Sequence, residues 1–328
     1  MPLIVATNRI FPETRELLGR HGTVEANEQA DPWPREEVGA RCREADAVMA
    51  FMTDRIDAAL IEACPRLKVI GAALKGYDNI DAEAAARAGV WVTIVPDLLT
   101  VPTAELAIGL MLALGRHILV GDRTIRASGF HGWRPELYGR GLAGATVGVV
   151  GFGRVGRAIA ERLAAFRCRI LPHDAKPTAG IVNLQELFAT SDYVVLALPL
   201  TVDTKHIVDR QAIAAMKKGA LLVNPARGSL VDETAVADAL ATGQLGGYAA
   251  DVFPCEDRAR SDRPRGIDPR LTAAGAPTVL TPHIGSAVAD VRREIELAAA
   301  RSIVEALSGA RPSGAVNAPH CLRGPCAC

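Results

Sequence analysis

A chain of 328 residues exceeds one typical domain and fits two, each with its own core. Its 49% hydrophobic and 23% charged residues give the profile of a globular protein, not of a fibre or a disordered chain. Lys plus Arg equals Asp plus Glu at 37 each, so no net field draws the chain to nucleic acid or a membrane surface. Any anion must therefore be bound by local charges.

In chain order, Met1-Pro2-Leu3-Ile4-Val5-Ala6 has no basic leader before a long apolar stretch and reads as a first strand rather than a signal peptide. Strands are expected at 3–6, 47–52, 68–73 and 91–94, with helices at 13–19, 35–43, 57–63 and 81–88 between them. Alternating βα units imply a parallel sheet covered on both faces. One long helix is expected from Thr100 to Ser128, with Pro102 tolerated in its first turn. Arg116 and His117 interrupt its apolar stretch, so a buried helix is a better reading than a membrane span.

A second alternation begins at Thr146 and places strands at 146–150, 169–173, 193–197, 221–224, 247–251 and 279–281. Helical patterns at 155–165, 184–190, 211–216 and 234–241 separate them. The expected fold class is therefore α/β with two doubly wound parallel-sheet domains, a Rossmann domain and a flavodoxin-like domain, with a cleft between them. A last helix, Val288 to Leu307, carries an apolar stripe through Ile295, Ala299 and Ile303. Returning it to the first sheet makes residues 1–99 and 286–328 one discontinuous substrate domain around a dinucleotide domain of residues 100–285. The chain then crosses between domains near Leu99 and Gly285, and Arg258 to Arg270 reads as a surface loop beside the cleft.

Gly151-Phe152-Gly153-Arg154-Val155-Gly156 directly follows one strand and opens a helix. Gly151 permits the tight turn, Gly153 lets the backbone approach a pyrophosphate, and Gly156 lets helix and strand pack closely. The helix N-terminus offers free N–H groups and partial positive charge to the phosphates. Asp174 ends the next strand, where a carboxylate can accept ribose hydroxyls and repel the extra phosphate of NADP. Ala175 follows it, so NAD is the expected cofactor; Lys176 softens that preference.

Arg227, in Asn224-Pro225-Ala226-Arg227-Gly228, lies just past a strand, where open α/β sheets bind ligands. Its guanidinium can pair with two oxygens of an oxyanion. His283, in Thr281-Pro282-His283-Ile284-Gly285, follows the last strand and can take or return a proton as hydride moves. Glu256 can bind one ring nitrogen and fix the tautomer. Seven scattered cysteines suit a reducing cytoplasm. The tail cysteines Cys321, Cys326 and Cys328 lack a histidine at ligand spacing, so no metal is expected.

These segments resemble the D-isomer-specific 2-hydroxyacid dehydrogenase family over nearly the whole chain. The resemblance implies a homodimer built largely through the NAD domains, with Arg227, Glu256 and His283 as the catalytic set. It implies that Asp251 contacts the nicotinamide carboxamide. It also implies cofactor contacts from Lys75, Thr103, Ala197, Leu198, Pro199, Ala226 and Ser286, beside those of Arg154, Val155, Arg227 and His283. Within the family, the runs Ala73-Leu74-Lys75-Gly76-Tyr77-Asp78-Asn79 and Val95-Pro96-Asp97-Leu98-Leu99-Thr100 are similar to the phosphonate (phosphite) dehydrogenase branch. Phosphite approaches a dianion with three oxygens, which calls for more than one cation. Lys75 and Arg292 are the candidates beside Arg227, with Gly76 and Met52 lining the substrate site. His283 or Arg227 is the base in that chemistry. The alternatives are a glyoxylate or hydroxypyruvate reductase, and a dinucleotide-sensing binding protein like the corepressors of this fold.

Overall fold

Short, almost wholly apolar runs become the strands of two parallel sheets, because strands buried on both faces have no reason to alternate. The computed structural model describes residues 1–176, 180–258, 260–319 and 321–323. The chain divides into two compact units. The first comprises Met1–Leu99, Arg258–Ser261 and Ala287–Cys328; the second comprises Thr100–Asp257 and Asp262–Ser286.

The first unit runs β1 (Leu3–Ala6), α1 (Pro12–Gly19), β2 (Thr23–Ala26), α2 (Arg35–Cys42), β3 (Ala47–Ala50), α3 (Ala58–Glu62), β4 (Val69–Ala72), α4 (Ala82–Arg87) and β5 (Trp91–Thr93). The strands pair in parallel in the order β2-β1-β3-β4-β5, the flavodoxin-like arrangement. Asp57 and Asp81 cap α3 and α4 by accepting the backbone N–H groups of Leu60 and Ala84. The apolar runs of the sequence do not predict β2. It is a short edge strand, partly exposed and carrying Glu25, so it lacks the pattern that marks its neighbours.

The second unit begins with α5 (Thr100–Gly115) and α6 (Ile118–Ser128), then β6 (Thr146–Val150), α7 (Arg154–Leu163) and β7 (Arg169–His173). It continues through α8 (Leu184–Thr190), β8 (Tyr193–Leu196), α9 (Arg210–Ala215), β9 (Ala220–Asn224), α10 (Glu233–Thr242), β10 (Leu245–Ala250), α11 (Pro269–Thr272) and β11 (Thr278–Leu280). Its order is β11-β10-β9-β8-β6-β7, so the winding reverses at β6, between β7 and β8. The carboxyl ends of β6 and β8 therefore flank the switch point where such sheets bind ligands. α12 (Ala289–Leu307) belongs to the first unit and lies on β3 and β4. A Cβ on Gly71 would meet Ile303 Cγ1 at 2.5 Å, so α12 packs directly on the strand backbone.

Two expectations are corrected. The single helix from Thr100 to Ser128 is two helices bent by 58°. At the break, Gly115 gives its carbonyl to the Arg140 N–H at 2.7 Å, and His117 adopts φ 53°. A Cβ on Gly115 would lie 2.1 Å from the Tyr193 hydroxyl, itself bound to the Arg140 carbonyl at 2.8 Å. A long-range contact thus overrides local helix propensity. Second, Arg258–Ser261 belongs to the first unit, an excursion additional to the two expected crossings. Among the described residues no single helix is long and apolar enough to cross a membrane. The bent α5–α6 pair reaches that length and composition only together, and one side of α5 is buried through Ala104, Ala107, Leu110, Met111 and Leu114.

Glu233, at the start of α10, is 7% exposed, and one carboxylate oxygen accepts the Asp268 N–H at 3.2 Å. Burial pushes its carboxyl up to about 7, and the nearby acids Asp268, Asp232 and Asp257 push the same way. A carboxyl raised on folding contributes stability below its unfolded value that is lost as pH climbs through the folded one. Glu233→Gln, which cannot ionise, should therefore gain on wild type between pH 5 and pH 8, by up to about 3 kcal/mol in urea melts. An equal difference at both pH values would show that folding leaves the Glu233 carboxyl unshifted.

Candidate active site

The dinucleotide turn joins β6 to α7, and each glycine meets a different requirement. Gly151 has φ 92°, and a Cβ there would lie 2.6 Å from the Ala197 carbonyl oxygen. A Cβ on Gly156 would lie 2.1 Å from the Gly151 carbonyl oxygen, which enforces close helix–strand approach. A Cβ on Gly153 would meet nothing within 4 Å, so the space above the α7 N-terminus is open. No side chain caps that end, so its N–H groups remain for an anion. Arg154 and Val155 form the first helical turn, with Arg154 exposed.

Asp174 follows β7 and accepts the backbone N–H groups of Phe152 at 2.8 Å and Lys176 at 2.9 Å. These bonds, Lys176 first, hold its carboxyl below the usual range, so it stays ionised as a ribose acceptor must. Ala197, Leu198 and Pro199 continue from β8 opposite Gly151, and Thr204 fastens that loop by donating to the Pro199 carbonyl at 2.8 Å. These features fit a dinucleotide: a cradle for the pyrophosphate and an acceptor for the ribose.

β9 ends at Asn224, which is fully buried and shapes the following turn. Its side chain donates to the Arg227 carbonyl at 2.8 Å and accepts the Ala226 N–H at 3.1 Å. Arg227 is half-buried, and its Nη1 donates to the Ala226 carbonyl at 2.9 Å. A Cβ on Gly228 would lie 1.9 Å from the Phe253 carbonyl carbon. Only glycine allows that approach, which sets the Arg227 turn directly on the turn carrying Glu256. Asp257 then fastens the two by accepting the Ser229 N–H at 2.9 Å.

Glu256 closes a single 3₁₀ turn, Pro254–Glu256. One of its oxygens accepts the Phe253 N–H at 2.6 Å, and the other accepts His283 Nδ1–H at 2.7 Å. A neutral ring protonated at Nδ1 carries its lone pair on Nε2, the atom that can take a proton. His283 itself has φ 56°, a region that side chains other than glycine seldom occupy. The Asp251 carbonyl accepts the His283 N–H at 2.8 Å. Asp251 Oδ1 accepts the Thr281 hydroxyl at 2.6 Å and the Ile284 N–H at 2.8 Å, and Oδ2 accepts the Gly285 N–H at 2.8 Å. Burial raises the Asp251 carboxyl while these donors pull it down.

Asp251 thus clamps the turn that presents His283, a role its sequence position did not reveal. Thr103, near the start of α5, donates to the Gly285 carbonyl at 3.5 Å, and Ser286 is buried beside it. Within the second unit the structure therefore links Arg227, Glu256, His283, Asp251 and Thr103. Sequence reasoning missed Asn224 and Thr281. Asn224 carried a signal as an Asx turn before proline; Thr281 carried none.

In the first unit, Met52 follows β3, and Lys75 and Gly76 follow β4. Asp54 is 5% exposed and anchors the Met52 loop by accepting the Phe51 N–H at 2.7 Å and the Thr7 hydroxyl at 2.5 Å. The Asn79 amide donates to the carbonyls of Phe51 at 3.1 Å and Asp54 at 3.0 Å, tying that loop to the one carrying Lys75. Arg292, in the first turns of α12, donates to the Ala73 carbonyl at 3.2 Å and lies 6.0 Å over the Phe51 ring. Burial lowers its pKa, though an arginine stays charged. Met52, Lys75, Gly76 and Arg292 therefore gather at the carboxyl ends of β3 and β4. Among the described residues no group of three His, Cys, Asp or Glu could hold a metal. The expectation for Cys326 and Cys328 lies outside the described residues.

The family model described as D-isomer specific 2-hydroxyacid dehydrogenase, NAD binding domain, matches residues 108–285. A glyoxylate reductase of Aeropyrum pernix is 36% identical, with 96% of each chain covered. One of Pyrococcus furiosus is 35% identical over 96% of this chain and 95% of its own. Among solved structures, a Thermus thermophilus protein superposes with TM-score 0.87 at 35% identity, covering 96% of this chain and 99% of its own. A glyoxylate reductase from Paecilomyes thermophila gives 0.83 at 29%, covering 96% and 98%. The cofactor is NAD(H), as the matched domain indicates.

Asp251→Asn tests the clamp. An amide has only one acceptor oxygen for three donors, and leaving a buried donor unpaired costs about 1–3 kcal/mol. The variant should fold with a native circular dichroism spectrum and lose at least about tenfold in kcat. Wild-type turnover in folded protein would remove Asp251 from the positioning of His283.

Proposed function

Because the chain belongs to the D-isomer specific 2-hydroxyacid dehydrogenase family, we propose that it is an NAD-dependent phosphonate dehydrogenase, oxidising phosphite to phosphate. The observation that supports this substrate is Arg292 docked on the Ala73 carbonyl, two residues before Lys75. Arg292 also lies 3.9 Å from the buried Glu296 carboxylate, and with Lys75 it would give the first unit's strand ends two cations for an anion. A small three-oxygen dianion uses both.

NAD, when bound, accepts the hydride. The P–H bond breaks with its electron pair, and a water oxygen forms the new P–O bond. His283 Nε2 takes the proton of that water while Glu256 holds Nδ1–H in place. Phosphite, water and NAD thus give phosphate, NADH and a proton. In the second unit, Arg227 offsets the charge that builds on oxygen.

A second reading, reduction of glyoxylate, hydroxypyruvate or another 2-keto acid, is favoured by the names its relatives carry. There His283 would protonate the carbonyl oxygen, and Lys75 would be surplus charge. For either reading we propose a homodimer. No residue of α6 is buried, and with the following stretch it exposes Ile118, Ile125, Phe130, Trp133 and Tyr138, an apolar surface that a second copy would cover. The described cysteines, Cys42, Cys64, Cys168, Cys255 and Cys321, are free, which fits a cytoplasmic setting.

Incubation of the protein and NAD with phosphite, D-lactate or D-glycerate, and of the protein and NADH with glyoxylate, separates these readings by absorbance. Phosphite alone should support turnover, and His283→Asn should lower kcat by about 10²–10⁴-fold. Turnover of the organic acids without phosphite would establish the second reading. NADH binding without turnover of any of the four would establish a sensing protein.

A further inference from the structure

The glycine-rich turn and Asp174 do not account for every charged group at the dinucleotide site. Arg157 lies one helical turn beyond Gly153, on the same face of α7 as Arg154. Its guanidinium carbon sits 4.9 Å from the centroid of the Phe152 ring. Phe152 stands between Gly151 and Gly153, and its own N–H donates to Asp174 at 2.8 Å. The ring therefore projects from the short segment that must face the pyrophosphate and adenine ribose of a bound dinucleotide.

Arg157 is exposed and forms no ion pair with a carboxylate among the described residues. Some other exposed arginines of this unit do pair, Arg126 with Asp122 and both Arg210 and Arg270 with Asp238. A cation stacked on an aromatic face loses part of its conformational freedom yet keeps its N–H donors at the ring's edge. The open space above Gly153 lies over the same helix end.

We infer that Arg157, oriented by the Phe152 ring, is a binding residue for the diphosphate of the adenosine half of NAD. It adds a ring-oriented cation to the fixed N–H groups of the α7 N-terminus. The nicotinamide half, handled from β9 to β11, is indifferent to it. The inference rests on the NAD site alone and not on the identity of the oxidised anion.

Arg157→Met keeps the aliphatic stem on the ring and removes the charge. Binding of NADH, NADPH and reduced nicotinamide mononucleotide is measured by fluorescence over a range of salt concentrations. The variant should bind NADH and NADPH about three- to tenfold more weakly at low salt, with a shallower salt dependence. It should bind the mononucleotide, which lacks the adenosine phosphate, as wild type does, and Arg157→Lys should recover part of the loss. Unchanged NADH affinity would overturn the inference. So would an equal loss for the mononucleotide, which marks a general disturbance of the fold. A loss confined to NADPH would reassign Arg157 to the 2′-phosphate and equally overturn it.

Discussion

A single buried carboxylate sets the conditions under which His283 can act. Asp251 directly follows β10 and is 1% exposed, and it collects the Thr281 hydroxyl and the N–H groups of Ile284 and Gly285. Those three donors lie on both sides of His283, so the chain between them has little choice of path. The path includes the left-handed backbone at His283, φ 56°, which an isolated histidine would leave. Parallel pairing of β10 with β11 brings the carboxylate and the turn into reach. The imidazole is thereby delivered to Glu256 at 2.7 Å by the sheet and not by its own loop.

The rest of the second unit's site follows the same logic of backbone fixed by a few short contacts. Gly228 lies on the Phe253–Pro254 backbone, and Asn224 spans the turn around Arg227. Cation, carboxylate and imidazole thus hang from the ends of three adjacent strands, β9, β10 and β11, which rise from one core. Preorganisation of this kind suits a reaction in which charge moves and the groups stay still. In the first unit Asp54 and Asn79 do for Met52 and Lys75 what Asp251 does for His283, and Arg292 joins them through the Ala73 carbonyl.

Much of this was legible because some positions admit only one residue type. Gly151 and Gly156 are required by backbone approaches of 2.6 Å and 2.1 Å, so the fingerprint is a steric necessity that the sequence must display. Apart from β2, the strands of both sheets announced themselves as apolar runs, and the two-sheet α/β fold follows from their alternation with helices. What escaped depends on partners distant in sequence. The bend after Gly115 is dictated by Tyr193 and Arg140, and nothing local to residues 115–117 names them. β2 escaped because an edge strand needs little hydrophobicity. Asp251 was visible as a residue and invisible as a clamp, since its three donors come from the turn after the neighbouring strand. The phosphite-specific resemblance has not been matched by the names of the relatives, so the substrate stands as a proposal where the NAD-dependent oxidoreductase family does not.

The claim beneath all of this is that Asp251 positions an imidazole it does not touch. Nitrogen-15 and proton NMR of histidine-labelled protein reads that directly. The account predicts one ring with a low-field Nδ1–H resonance from the bond to Glu256, present in wild type and lost in folded Asp251→Ala. The same resonance, unchanged in that variant, would show that His283 finds Glu256 without the clamp and would contradict the account.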